Sequence, residues 1–396
     1  MSTEVYVPRP RVQSLDAYRG LVMLLMMVEV LRLSEMGKVF PDSGWWKFIS
    51  FHTSHVQWRG GSLHDLIQPS FTFLVGVVLP YSLASRLARG QTIAWMTLHA
   101  TWRALLLVLL GIFLRSIDKP RTYFTFEDTL SQIGLAYVPL FLFGLCSRRW
   151  QWATILAILL GYWLAFALYP LPPQDFRYRA VGVSNNWQHH FEGFAAHWNK
   201  NSNLAWAFDT WFLNLFPRTK TFVYNYGGYA TLSFIPTLGT MLLGLIAGSW
   251  LHDAGPANQK IKRFVAAGVL CLVFGLAADQ LSICPSVKRI WTPSWVLISG
   301  GWCFLLLAAF YSVIDVLGFT AWSFPLRVVG ANSIAAYVMA HPFEHFVVNV
   351  LHTHVGREPF RILGTKYEQL LTGCAVVVVY WLILLWMYRK KIFIRI

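Results

Sequence analysis

Acidic residues are scarce in this sequence. Eighteen Asp and Glu stand against thirty-three Lys and Arg, and charged residues of both signs make up only 13% of the 396 positions. A soluble domain carries about 25% charge, so an ordinary water-soluble globule is excluded. Cysteine is also sparse. Cys146, Cys271, Cys284, Cys303 and Cys374 form no CxxC pair and mostly lie in or beside apolar runs, which suits small core residues rather than disulfides or metal ligands. The N-terminus is basic and then apolar but lacks a small-residue cleavage site, so it reads as an uncleaved first span and not a signal peptide. Walker loops, dinucleotide-binding glycine fingerprints and HExxH motifs are missing, as are internal repeats and low-complexity linkers.

What is present is apolar residue, 56% of the chain, in runs of membrane-crossing length. About ten spans are expected, near 16–34, 66–85, 97–116, 129–147, 151–170, 229–251, 263–282, 294–317, 327–350 and 370–388. The expected fold is an all-α integral membrane protein, a bundle of about ten transmembrane helices forming a single domain over 1–396. Nineteen Trp and sixteen Tyr suit aromatic belts at the two bilayer surfaces. The net charge of +15 falls mostly in short connections, among them Arg86 and Arg89, Arg148 and Arg149, Lys260 with Lys262 and Arg263, and the Arg389–Lys391 end. These read as topology determinants and anionic-lipid contacts rather than a nucleic-acid surface. The positive-inside rule puts them, and both termini, in the cytoplasm. Long connections at 35–65 and 171–228 then face the other side, and a loop as long as the second usually has a function.

The stretch HVQWRGGSLHDLIQPSFTFLVG, His55 to Gly76, sets ionisable groups at the edge of an expected span, where they are costly. His55 can take and return a proton near neutral pH. Asp65 can hold one imidazole nitrogen, as the carboxylate of a catalytic triad does. Whether the two meet depends on the turn at Gly60-Gly61, and helix capping by Asp65 is an equally good local reading. His52 and His64 are competitors, and a metal site built from the three histidines has no third-ligand pattern to support it. Glu29, Asn332 and His341 sit within apolar runs and are expected to face the bundle interior, with a local Glu29–Arg32 pair and helix–helix glue as their plain alternatives. Arg103 opens the third span, where it can snorkel or clamp a phosphate. The glycines of GLIAGS are expected to be packing faces. On composition alone a transporter of a small polar or sugar-like solute fits equally well, although no matching pair of broken helices is visible.

Taken together, these segments resemble the membrane catalytic domain of the heparan-α-glucosaminide N-acetyltransferase family. The resemblance is carried by SLDAYRG (Ser14–Gly20), by His55, Trp58, Gly60, Asp65, Pro69, Phe71, Phe73 and Gly76, by WRALLLVLLGI with Arg103, and by QIGLAY (Gln132–Tyr137). It continues through IPTLGTMLLGLIAG, PSVKRIWTPSWVL (Pro285–Leu297), VIDVLG with Asp315, GANSIAAYV with Gly330 and Asn332, and YRKKIF. Each piece is weak alone; their shared order and spacing is specific.

The resemblance implies acetyl transfer across the bilayer, from cytoplasmic acetyl-CoA to an amino sugar or other glycan on the far side. It assigns the essential histidine to His55, CoA phosphates to Arg103, and a late core asparagine to Asn332; His55 is then expected to act as general base, or as a transient acyl carrier, with Asp65 orienting it. Trp58 or Asn332 is then the expected oxyanion donor, and Trp58, Glu29 and His341 the expected acceptor contacts. The partners implied are acetyl-CoA, the glycan, the lipid bilayer and, as an option left open, a second copy of the chain; no metal and no nucleic acid are expected. A bacterial inner membrane is the expected location. The sequence departs from the family pattern at Gly227–Ala230, at Val30 beside Glu29, at Gln132 and near His341, positions that bear on the acceptor more than on the donor.

Overall fold

The computed structural model describes residues 12–340 and 342–394. Among them fifteen α-helices follow one another: α1 Gln13–Met27, α2 Leu33–Val39, α3 Gly44–His52, α4 Ile67–Ala88, α5 Ile93–Ser116, α6 Thr129–Gly144, α7 Arg148–Leu168, α8 Leu204–Phe212, α9 Phe234–His252, α10 Ala257–Gln280, α11 Pro293–Phe310, α12 Phe324–Ala331, α13 Ser333–Ala340, α14 Glu344–His354 and α15 Glu368–Arg389. Seven helices, taken with their flanking 3-10 and π turns, are long and apolar enough to cross a membrane: His64–Ala88, Ile93–Ser116, Arg148–Leu168, Thr231–His252, Ala257–Gln280, Pro293–Val316 and Thr365–Arg389.

Three of the ten expected spans fall short of that length, each for a local reason. The first stops as an α-helix at Met27, continues as a 3-10 turn, and ends where Arg32 adopts φ 51°. The fourth, α6, has 16 residues. The region 327–350 is divided among α12, α13 and α14, with Asn332 at φ −127° and ψ 46° breaking the first junction. The connections expected as loops are partly helical as well. The 35–65 stretch holds α3, capped by the Ser43 hydroxyl, and 171–228 holds α8, capped by Asn203.

The chain divides into two compact units. The first holds Gln57–Gly60 and Thr72–Ala308, the second Gln13–Val56, Gly61–Phe71 and Ala309–Ile396. In the first unit α9 is the central helix: 83% of its apolar window is buried, against 17% for α10. Close approach explains its glycines. A Cβ on Gly244 or Gly248 would collide with the Phe73 or Val77 carbonyl of α4, and one on Gly76 would collide with the Met241 carbonyl of α9. These are small-residue packing faces. Trp58, Tyr162, Phe166, Trp198, Val287 and Ile290 build an adjoining aromatic-rich cluster.

In the second unit α1 packs on α12 through the same device, with Gly20 against Leu326 and Gly330 against Asp16. The Asp315 carboxylate, carried on a π turn after α11, accepts from the backbone N–H groups of Gln13 (3.0 Å) and Ser14 (3.1 Å). A carboxylate from a distant segment thereby satisfies the unpaired donors at the start of α1 and complements its dipole.

Candidate active site

The turn after α3 and the 3-10 turn before α4 bring His55 and Asp65 together within the second unit. His55 Nδ1 lies 2.8 Å from Asp65 Oδ1. The other carboxylate oxygen accepts from Val56 N (3.1 Å) and Ser62 N (3.0 Å). Ser62 Oγ is 2.6 Å from the Ser54 carbonyl and 3.1 Å from Asp65 Oδ2, so its single hydrogen goes mainly to the carbonyl. The Asp65 side chain is 1% exposed and that of His55 is 40% exposed. An ionised carboxylate only accepts hydrogen bonds, so its contact places the proton on Nδ1 and leaves the Nε2 lone pair as the basic position. The arrangement can fix a tautomer and accept a proton, the two tasks of a histidine base held by a carboxylate.

The neighbouring histidines are placed differently. The His64 ring lies 4.5 Å from that of His55, tilted by 51°, and is buried. His52 packs on Phe48 and Phe51, and its Nδ1 receives the Leu63 N–H at 3.4 Å. No group of three His, Cys, Asp or Glu able to hold a metal occurs among the described residues.

Other expected site residues serve the architecture around them. Trp58 is 1% exposed, and its indole N–H donates to the Trp198 carbonyl at 3.1 Å. Asn332 is fully buried; its amide donates to the Ile392 carbonyl (2.9 Å) and its oxygen accepts from Ile394 N (3.0 Å), tying the C-terminal tail to the α12–α13 junction. Both N–H groups proposed for an oxyanion are thus engaged in this conformation. Glu29 is exposed on its 3-10 turn, and Arg32 pairs at 2.7 Å with Glu344 instead of with it. His341 lies outside the described residues. Arg103, on α5, donates to the Tyr137 hydroxyl (3.1 Å) and lies over that ring, while its buried Nε has no partner. That orphaned donor suits an anionic group arriving from outside the protein.

The first unit also holds a recess of about 780 Å³ that sequence reading did not single out. Gln57, two residues after His55 in the chain, lines it together with Trp187, Tyr226, Lys200, Arg179 and Arg289. Lys200 is 6% exposed, with its Nζ 4.5 Å from the centre of the Trp187 ring and 5.5 Å from that of Tyr226. Burial, and then the Arg289 charge, hold its pKa below the ordinary lysine value. No carboxylate lines this recess among the described residues. The Trp- and His-rich composition of 184–203 was the one signal available in advance.

A second group that sequence reading missed is Asp209 on α8. One of its oxygens accepts from Thr231 N at 3.0 Å and the other is buried without a partner. Burial pushes its pKa up to about 7, against the pull of its bond from the Thr231 N–H.

No family model matches the chain. Two curated proteins are similar along nearly its whole length. The heparan-alpha-glucosaminide N-acetyltransferase of Homo sapiens is 25% identical over 436 aligned residues, covering 98% of this chain and 60% of the relative. That of Mus musculus is 24% identical over 437, with the same coverage. The chain therefore resembles these enzymes from end to end, and spans about 60% of the length of the curated relatives it matches.

Proposed function

We propose that the chain is an integral-membrane acetyltransferase that moves an acetyl group from acetyl-CoA to an amino sugar or other glycan acceptor. The observation that carries this is the His55–Asp65 pair, a buried carboxylate on one imidazole nitrogen with the other nitrogen left basic. The similar N-acetyltransferases supply the reaction class.

In the proposed step His55 Nε2 takes a proton from the acceptor amine or hydroxyl as that atom bonds to the thioester carbonyl carbon. Asp65 holds the ring and balances the imidazolium. When the tetrahedral adduct collapses, the carbon–sulfur bond breaks and His55 returns the proton to the departing CoA thiolate. General-base assistance of this kind contributes about 10²–10⁴-fold. Arg103, with its unpartnered Nε, is assigned to a phosphate of CoA. Within the first unit, the Trp187–Tyr226 recess has flat ring faces and convergent donors of the kind that suit a sugar. The basic connections support a cytoplasmic donor side and cytoplasmic termini.

The test is transfer of radiolabelled acetyl from acetyl-CoA to a panel of amino sugars in liposomes. Wild-type protein acetylates at least one acceptor, and His55→Ala abolishes transfer while still binding CoA. Full turnover by His55→Ala sinks the base assignment; solute uptake with no acetylation replaces the enzyme by a transporter.

A further inference from the structure

A separate recess of about 670 Å³ lies in the first unit, where α5 ends. Two short segments wall it, and both contain Pro-Arg-Thr: Pro120–Thr122 and Pro217–Thr219. Arg218 joins them. Its guanidinium donates to the Leu213 carbonyl at 2.7 Å and to the Phe124 carbonyl, and it lies 5.3 Å from the centres of both the Tyr123 and Phe222 rings. Arg121 donates back to the Arg218 carbonyl at 3.4 Å. Beneath, Phe124 and Phe126 pack on Phe216 at 5.1 and 5.4 Å. The walls are therefore built before any ligand arrives.

The charge lining these walls is one-sided. Arg115, Lys119 and Lys220 line the recess along with Arg121 and Arg218, and Glu127 is the sole carboxylate there among the described residues. Burial raises the pKa of Glu127, with Arg115 and Arg218 pulling the other way. Lys119 and Lys220 have no carboxylate partner among the described residues. An excess of cations this large, around a preformed hollow, calls for a ligand with more than one negative oxygen.

Its surroundings indicate where that ligand comes from. Up to the recess, α5 exposes Leu98, Trp102, Leu105, Leu109 and Phe113, a stripe at helical spacing that suits acyl chains. Trp211 and Leu215, in the segment leading to the second wall, are exposed at 61% and 62%, as residues resting at a bilayer surface are. We infer that this recess binds the phosphate of an anionic membrane lipid, Arg115, Lys119 and Lys220 taking the phosphate oxygens and the α5 stripe the acyl chains. The inference is independent of the acetyl-transfer reading.

The experiment places the protein in phosphatidylcholine nanodiscs doped with phosphatidylglycerol and reads retained lipid by native mass spectrometry. Wild type retains phosphatidylglycerol in preference to phosphatidylcholine. Lys119→Ala/Lys220→Ala lowers that retention by about tenfold or more; Lys119→Arg/Lys220→Arg restores it. Lys390→Ala/Lys391→Ala, which removes the same charge elsewhere, retains as wild type does. Thermal midpoints in pure phosphatidylcholine discs confirm that each variant is folded. Unchanged retention in Lys119→Ala/Lys220→Ala, or equal loss in the Lys390/Lys391 control, overturns the inference. In a second arm, inorganic phosphate or a sulfated disaccharide is added to pure phosphatidylcholine discs. If it stabilises wild type but not Lys119→Ala/Lys220→Ala, and phosphatidylglycerol does not, the site belongs to a soluble anion and the lipid source is wrong.

Discussion

His55 and Arg59, four positions apart in the chain, each pair with a carboxylate, and the two pairs do different things. In the first unit Asp279 holds Arg59 through three bonds: Nε to Oδ1 at 3.0 Å, Nη2 to Oδ2 at 3.3 Å, and Nη2 to the Asp279 carbonyl at 3.0 Å. Asp279 Oδ1 also accepts from Ser286 N at 2.7 Å, and Gly60 N donates to the Ser286 carbonyl at 2.9 Å, so this pair staples chain segments together. In the second unit Asp65 is the saturated member, with one oxygen on His55 Nδ1 and the other accepting from Val56 N and Ser62 N. A pair whose carboxylate also holds the backbone of another segment builds structure. A pair in which a carboxylate fixes the tautomer of an imidazole can do chemistry.

That contrast is broken most sharply by Asp65→Asn. The amide supplies one acceptor where the carboxylate supplies two, and it cannot balance an imidazolium. Acetyl transfer is expected to fall by about 10²–10⁴-fold, with protein that still passes gel filtration; activity within a fewfold of wild type refutes the pairing. Arg59→Ala should show the converse. It leaves Asp279 short of its partner and lowers stability by about 1–3 kcal/mol, a figure reduced because the arginine is 40% exposed. Activity per folded molecule stays within a fewfold. A lower thermal midpoint in detergent with preserved turnover checks it, and a rate loss matching that of Asp65→Asn erases the distinction.

A weaker effect belongs to Asp209. Its folded pKa, about 7, lies above the ordinary carboxylate value. Between about pH 4 and pH 7 the folded state therefore holds a proton that the unfolded state has released, and stability falls as pH rises through that window. Asp209→Asn removes this contribution. The thermal midpoint of the variant should change less between pH 5 and pH 7.5 than that of wild type; parallel curves for the two proteins exclude the assignment. Smallest of all is Trp58→Phe, which gives up the bond to the Trp198 carbonyl and some packing, with a cost of about 1–2 kcal/mol in thermal denaturation.

Much of the fold was legible in advance because lipid imposes a composition. Seven of the ten expected spans meet helices of crossing length, and α9 carries the small-residue face read from GLIAGS. The three shortfalls were not legible, since nothing in an apolar window announces a left-handed Arg32 or a break at Asn332. Several resemblance motifs prove to be architectural. SLDAYRG and VIDVLG meet where Asp315 caps α1. Within PSVKRIWTPSWVL, Trp291 at φ 49° donates its indole N–H to Thr240 of IPTLGT at 3.1 Å. Order along the chain was a good guide to resemblance, and several of its motifs also hold the fold together.

The amino-acid sequence by itself determined that this chain lives in lipid, which residues are too costly to bury without a reason, and that His55 and Asp65 are candidates for one task. Hydropathy and residue chemistry are local properties, readable one window at a time. Only the tertiary structure decided that the two meet at 2.8 Å, that Asn332 and Trp58 spend their N–H groups on carbonyls, and that Arg32 pairs with Glu344. Hydrogen bonds are made over about 3 Å between groups that stand ten to more than three hundred positions apart in the chain, and folding alone sets which of them come within reach.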